Sequence, residues 1–152
     1  MVTLRLITRK EFESCQPVHR IIVHDYARMF AFLTLAEGTK FALSWRSDLV
    51  TPVVVMDETS DVCWVGVDER VAAVNCEGSI LFSVALCCPL LSIHLFPRFI
   101  TFLCDAELVI VNRDFSISAF HHLNDIPEMV AVVDGKLIVN YIDGSQSCFD
   151  NA

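Results

Sequence analysis

The stretch W64-V-G-V-D-E-R-V-A-A-V-N-C-E-G-S-I-L-F-S-V84 reads as strand, tight turn, strand, tight turn, strand. Asp68-Glu69 breaks the first apolar run and Glu77-Gly78-Ser79 breaks the second, with residue types that suit the backbone angles of short hairpins. Each apolar run is too short for an ordinary helix and rich in β-branched residues, so β-strands joined antiparallel are the expected state.

Working outward, the same pattern returns at TFLCDAELVIVNRDFSISAF (101–120) and AVVDGKLIVNYIDGSQSCF (131–149). First turns fall at Asp105-Ala106 and Asp134-Gly135. Second strands close on Val74-Asn75, Val111-Asn112 and Val139-Asn140, and an acid with a Ser two positions later follows each time: Glu77/Ser79, Asp114/Ser116, Asp143/Ser145. Spacings of this order mark stacked supersecondary units. A weaker copy, MFAFLTLAEGTKFALSW (29–45), continues into LVTPVVVM (49–56). The expected organisation is one all-β domain over 1–152, built of repeated antiparallel meanders with repeat-like units at about 29–56, 62–86, 98–123 and 129–150. Thr8-Arg9-Lys10-Glu11 satisfies a capping box and predicts one short N-terminal helix ending near Pro17. Residues 18–33 fit either period, and strands are favoured there because Glu37-Gly38 suits a hairpin.

Short meanders with an Asp/Glu-Gly-Ser turn resemble the blades of β-propellers, of the quinoprotein-like and WD-repeat kind, over residues 62–150. The chain has no Trp-Asp dipeptide, no Gly-His start and no blade-closing Trp, so no site residue of those families carries over. The resemblance implies a propeller-like or partial-propeller arrangement, with a two-sheet β-sandwich as the alternative. Incomplete sheet sets leave bare edges, which, with a mean hydropathy of +0.52, point to a homo-oligomer.

The twenty residues 78–97 carry no formal charge and are long enough for a membrane helix. Pro89, Ser83, Ser92 and His94 interrupt them, and no Lys/Arg or aromatic belt flanks them, so two consecutive strands buried on both faces, with a Cys-Cys-Pro corner between, are expected instead of a membrane span. Charge is uneven: residues 1–46 hold seven Lys/Arg against four Asp/Glu, residues 47–152 four against fifteen. That balance disfavours nucleic acid and suits a basic protein partner. Seven cysteines, an odd number, with no secretory leader predict reduced thiols and a cytoplasmic protein.

Searching for chemistry yields near misses. Cys87-Cys88 is adjacent rather than C-x-x-C and reads as core thiols. His121-His122 with His94, Cys104 or Asp125 lacks metal-ligand spacing. Paired acids sit in turns, and no nucleophile elbow or phosphate loop is present. No catalytic residue, metal or cofactor is assigned. The reading is a non-enzymatic interaction module, of immunity or inhibitor type or a homo-oligomeric structural protein, whose interaction residues are Asp57, Glu58, Asp61, Asp68, Glu69, Asp105 and Glu107. The alternative is a small-molecule-binding or hydrolytic protein with a pocket lined by Trp45, Trp64, His94, His121 and His122.

Overall fold

The computed structural model describes residues 1–150, and among them it contains fifteen strands and one five-residue helix. The strands form four sheets, and the chain divides into two compact units, Met1–Leu86 and Cys87–Ala152.

The first unit holds two four-stranded sheets. In the N-terminal one, β3 (Met29–Thr34) and β4 (Lys40–Trp45) form a hairpin, β1 (Thr3–Ile7) adds antiparallel to β3, and β2 (His19–Ile22) adds parallel to β4. The next is a plain meander of β5 (Val53–Asp57), β6 (Val62–Val67), β7 (Arg70–Asn75) and β8 (Ile80–Ala85). β5 therefore opens this sheet rather than closing the preceding one, since its partner is β6. Ala31, Leu33, Phe41, Leu43 and Trp45 of the first sheet pack with Cys63, Val65, Ala72 and Val74 of the second.

The second unit repeats the meander with β9 (Leu90–Leu95), β10 (Phe99–Cys104), β11 (Glu107–Asn112) and β12 (Ile117–His122), then ends in a three-stranded sheet of β13 (Pro127–Val133), β14 (Lys136–Tyr141) and β15 (Gln146–Phe149). Its core joins Phe99, Leu103, Leu108 and Ile110 to Val130, Leu137, Val139 and Tyr141.

One loop recurs in all four sheets. The first residue donates its N–H to the carbonyl four residues on and accepts from the N–H three residues on: Leu35 with Thr39 and Gly38, Asn75 with Ser79 and Gly78, Asn112 with Ser116 and Phe115, Tyr141 with Ser145 and Gly144. The fourth position always lies in the left-handed region, at φ 93° (Gly38), 91° (Gly78), 69° (Phe115) and 88° (Gly144). Glycine holds three of these positions because it lacks the Cβ that opposes that conformation. The last loop starts at Tyr141, so Val139-Asn140 lies one residue early and the Val-Asn dipeptide is not what repeats.

The capping box is present: Thr8 Oγ1 accepts from the Glu11 N–H (3.1 Å) and Glu11 Oε2 from the Thr8 N–H (2.8 Å), starting α1 (Arg9–Glu13). The helix stops short of Pro17, at Glu13.

Two expectations change. Residues 78–97 do supply two strands, but β8 and β9 are edge strands of different sheets, each paired on one side only. They are therefore half-exposed; the strands buried along their whole length are the central β6 and β10. Cys87 is exposed in the corner between them rather than in the core, because a turn has no sheet to cover it. Among the described residues no helix is long and apolar enough to cross a membrane.

Candidate functional site

The seven acidic turn residues have different fates. Asp57 is buried at the end of β5, where its carboxylate accepts from the N–H (3.2 Å) and hydroxyl (2.7 Å) of Thr59 and from the Ser60 hydroxyl (2.8 Å), tying the β5–β6 turn. Asp68 Oδ2 accepts from the N–H groups of Arg46 (2.9 Å) and Ser47 (3.2 Å), and Glu69 pairs with the Arg46 guanidinium at 3.0 Å. These three hold the first unit together internally. Glu107 is buried at the start of β11, and its Oε2 meets no hydrogen-bond donor among the described residues. Asp105 is exposed, as are Glu58 and Asp61.

Glu58 and Asp61 come together with an acid absent from the sequence-based set. Glu37, from the β3–β4 loop, joins them around a cavity of about 310 Å³ whose apolar lining is Met1, Val2, Leu35, Ala36 and Met56. Three connections are tied here: the Thr39 hydroxyl of the β3–β4 loop donates to the Cys76 carbonyl of the β7–β8 loop at 2.5 Å, and the Cys76 thiol donates to Asp61 Oδ2 of the β5–β6 turn at 3.1 Å. Single ligand atoms of Glu37, Asp61 and Cys76 lie within 4.8 Å of one another. The hydrogen bond to Asp61, reinforced by burial and by the charges of Asp61, Glu37 and Glu77, raises the Cys76 thiol above its ordinary value, so it keeps its proton at neutral pH. What faces outward is two carboxylates and a protonated thiol beside an apolar floor, with Glu58 on the rim. That chemistry accepts a cation carried on an aliphatic stem.

A second concavity of about 130 Å³ is lined by His24, Asp25, Arg46, Glu69, Arg70, Ala85 and Leu86. His24 is buried, with Nδ1 donating to the Ser44 carbonyl at 2.7 Å. Because that carbonyl can only accept, the bond fixes the proton on Nδ1.

The aromatic and histidine set does not converge. Trp45 is in the core of the first unit, Trp64 is buried on β6, and His121 stacks on Phe149 with ring centroids 4.3 Å apart. His94 lies on β9 and His121 on β12, the two opposite edges of their sheet. Burial lowers the His94 pKa below its ordinary value, and its Nε2 is bonded to the Ser92 hydroxyl at 2.8 Å.

No protein-family model matches the sequence, and comparison with curated proteins finds no match. Solved structures are similar in fold. The computationally designed Ika4 protein matches with TM-score 0.56 at 10% identity, over 86% of this chain and 97% of its own. The WD40 β-propeller domain of Doa1 matches with TM-score 0.56 at 11% identity, over 89% of this chain. The chain is propeller-like in its sheets, and it spans about half (52%) of the Doa1 domain it matches.

Proposed function

We propose that the chain is a non-enzymatic protein-interaction module that binds a basic protein, with the acid-rimmed cavity of its first unit receiving a lysine or arginine side chain. The observation that carries this reading is the meeting of Glu37, Glu58 and Asp61 over an apolar lining. The aliphatic stem lies against Leu35 and Met56 while the charged head sits among the carboxylates. A chain of net charge −8 also draws cationic partners over distances beyond contact. An inhibitor masking a basic enzyme belongs to this class, as does a homo-oligomeric scaffold that presents the site more than once. The seven free thiols suit a reducing compartment, and we assign the protein to the cytoplasm on that basis.

Titration calorimetry with a lysine-rich peptide tests it, wild type against the triple variant Glu37→Gln, Glu58→Gln, Asp61→Asn. Three rim pairs at about 0.5 kcal/mol each predict roughly a tenfold loss of affinity, with a shallower salt dependence. Equal affinity in both proteins removes the cavity from the site.

A further inference from the structure

His24 stands in the loop after β2 and is 7% exposed. Ser44 of β4 holds it at two points: the His24 N–H donates to Ser44 Oγ at 3.2 Å, and Nδ1 donates to the Ser44 carbonyl at 2.7 Å. With the proton committed to Nδ1, Nε2 carries a lone pair and can only accept. Nothing among the described residues donates to it. A buried polar atom without a partner is uncommon and costly, so this one calls for an explanation.

The concavity of about 130 Å³ that His24 lines supplies one. Arg46 and Arg70 line it too, with donors to give, yet neither bonds to Nε2. Arg46 is already paired with Glu69 at 3.0 Å. Asp25 and Arg70 are both exposed and in no ion pair among the described residues, which leaves one free charge of each sign beside the buried acceptor. The space is well below the roughly 300 Å³ at which pockets for drug-sized ligands begin, so its ligand has few heavy atoms.

We propose that this concavity binds a small free α-amino acid, whose ammonium group donates to His24 Nε2 and pairs with Asp25 while its carboxylate meets Arg70. A bare acceptor needs a donor, which excludes simple anions. Free charges of opposite sign favour a ligand that carries both, because a ligand with one charge leaves the other wall unanswered. A metal ion also takes a bare imidazole nitrogen, but among the described residues the ligating atoms that come close enough to share one are at the other cavity. Nε2 is closed to bulk water, so the amine reaches it as a rim side chain turns. Arg70 is exposed and held by no ion pair, and its rotation toward the carboxylate moves no backbone. The site shares no lining residue with the acid-rimmed cavity and does not depend on that reading.

Titration with L-serine, followed by side-chain nitrogen NMR of the histidines, tests the proposal. Affinity should be of about millimolar order, as so small a ligand allows. The His24 Nε2 signal should shift as it gains a hydrogen bond, while those of His94 and His121 in the second unit stay in place. Acetate and methylammonium, each with one of the two charges, should bind about tenfold more weakly. By calorimetry, Asp25→Asn and Arg70→Gln should each weaken L-serine about fivefold without moving the melting curve, because both side chains are exposed. His24→Asn keeps a donor for the Ser44 carbonyl, removes Nε2 and should abolish binding. The cavity variant Glu37→Gln, Glu58→Gln, Asp61→Asn should bind L-serine as the wild type does, so the two readings can fail separately. A His24 signal that L-serine leaves unmoved would overturn the proposal, with an ordered water as the partner of Nε2. Wild-type affinity in both Asp25→Asn and Arg70→Gln, or methylammonium binding as tightly as L-serine, would overturn it as well.

Discussion

The N-terminal and C-terminal sheets each turn one apolar face into a core and leave the opposite face to be dealt with, and they deal with it differently. In the first, Phe12, Cys15 and Ala27 cover Phe30 and Ala42. Cations finish the cover: Arg9 stands over the Phe30 ring at 4.9 Å, Arg20 over Phe12 at 4.9 Å, and Arg5 and Lys40 over Phe32 at 5.5 and 5.1 Å. Arg9 also donates to the Ala27 carbonyl, and Arg20 to the carbonyls of Phe12 and Glu13. In the last sheet no such layer is present among the described residues, and Met129 and Val133 stay about half exposed. The basic character of the first third of the chain is thus largely spent on covering its own aromatics, which leaves the acid excess elsewhere to face solvent.

The sharpest way to break the difference is to uncover the first sheet. Phe12 is 6% exposed and its ring centroid lies 5.2 Å from that of Phe30. Phe12→Ala should cost about 3 kcal/mol, the low end for a buried aromatic, because the cover is thin enough to relax. Urea unfolding reads the loss, and the variant should bind apolar dye where the wild type binds less. A change below about 1 kcal/mol would show that the helix is ornament to this face rather than its cover.

Thr8→Ala is a smaller version of the same cut. It removes the hydroxyl that accepts from the Glu11 N–H while leaving every contact of Phe12 in place. The expected cost is about 1 kcal/mol, and Thr8→Ser should restore most of it, since serine supplies the same acceptor. A loss equal to that of Phe12→Ala would mean that the helix exists only as long as its cap does.

How far the sequence shows this contrast depends on whether the signal is local. Strands β6, β7, β10 and β11 and the recurring turn residues are legible because each is a short apolar run bounded by Asp, Glu or Gly. The helix start is legible because its cap lies within four residues. In the N-terminal sheet the β3–β4 hairpin about Glu37-Gly38 is legible, but the place of β2 is not, since it enters beside β4 in parallel, and a parallel neighbour leaves no turn signal between the two. The candidate site divides the same way. Asp57 and Glu58 are adjacent acids in one turn, yet Asp57 is captured by Thr59 and Ser60 while Glu58 reaches the cavity rim. The Asp-x-Thr-Ser spacing could have warned of that capture, because a short carboxylate favours donors two residues on. Nothing local marks Glu37 or Cys76: the β6–β7 register, which pairs Val62 with Asn75, brings Cys76 opposite Asp61, and Glu37 joins them from the loop of another sheet.

The smallest effect separates the loops of the two units. In the second unit Asp114 and Asp143 each accept from a hydroxyl and an N–H two residues on, at Ser116 and Ser145. In the first unit Glu37 and Glu77 hold that position, and the Ser79 N–H turns instead to Asn75 Oδ1 at 2.9 Å. The serine hydroxyl bonds, with the backbone bonds second, lower both aspartates below their ordinary 3.8. A carboxylate with a depressed folded pKa adds stability that is complete above its unfolded value and is lost as pH falls through the folded one. Acid should therefore loosen these two loops only below pH 3.8. Carboxyl-carbon NMR titration checks this directly. Ser116→Ala and Ser145→Ala should return each aspartate toward 3.8, and wild-type midpoints already there would mean that these two loops hold their shape without the serine bonds.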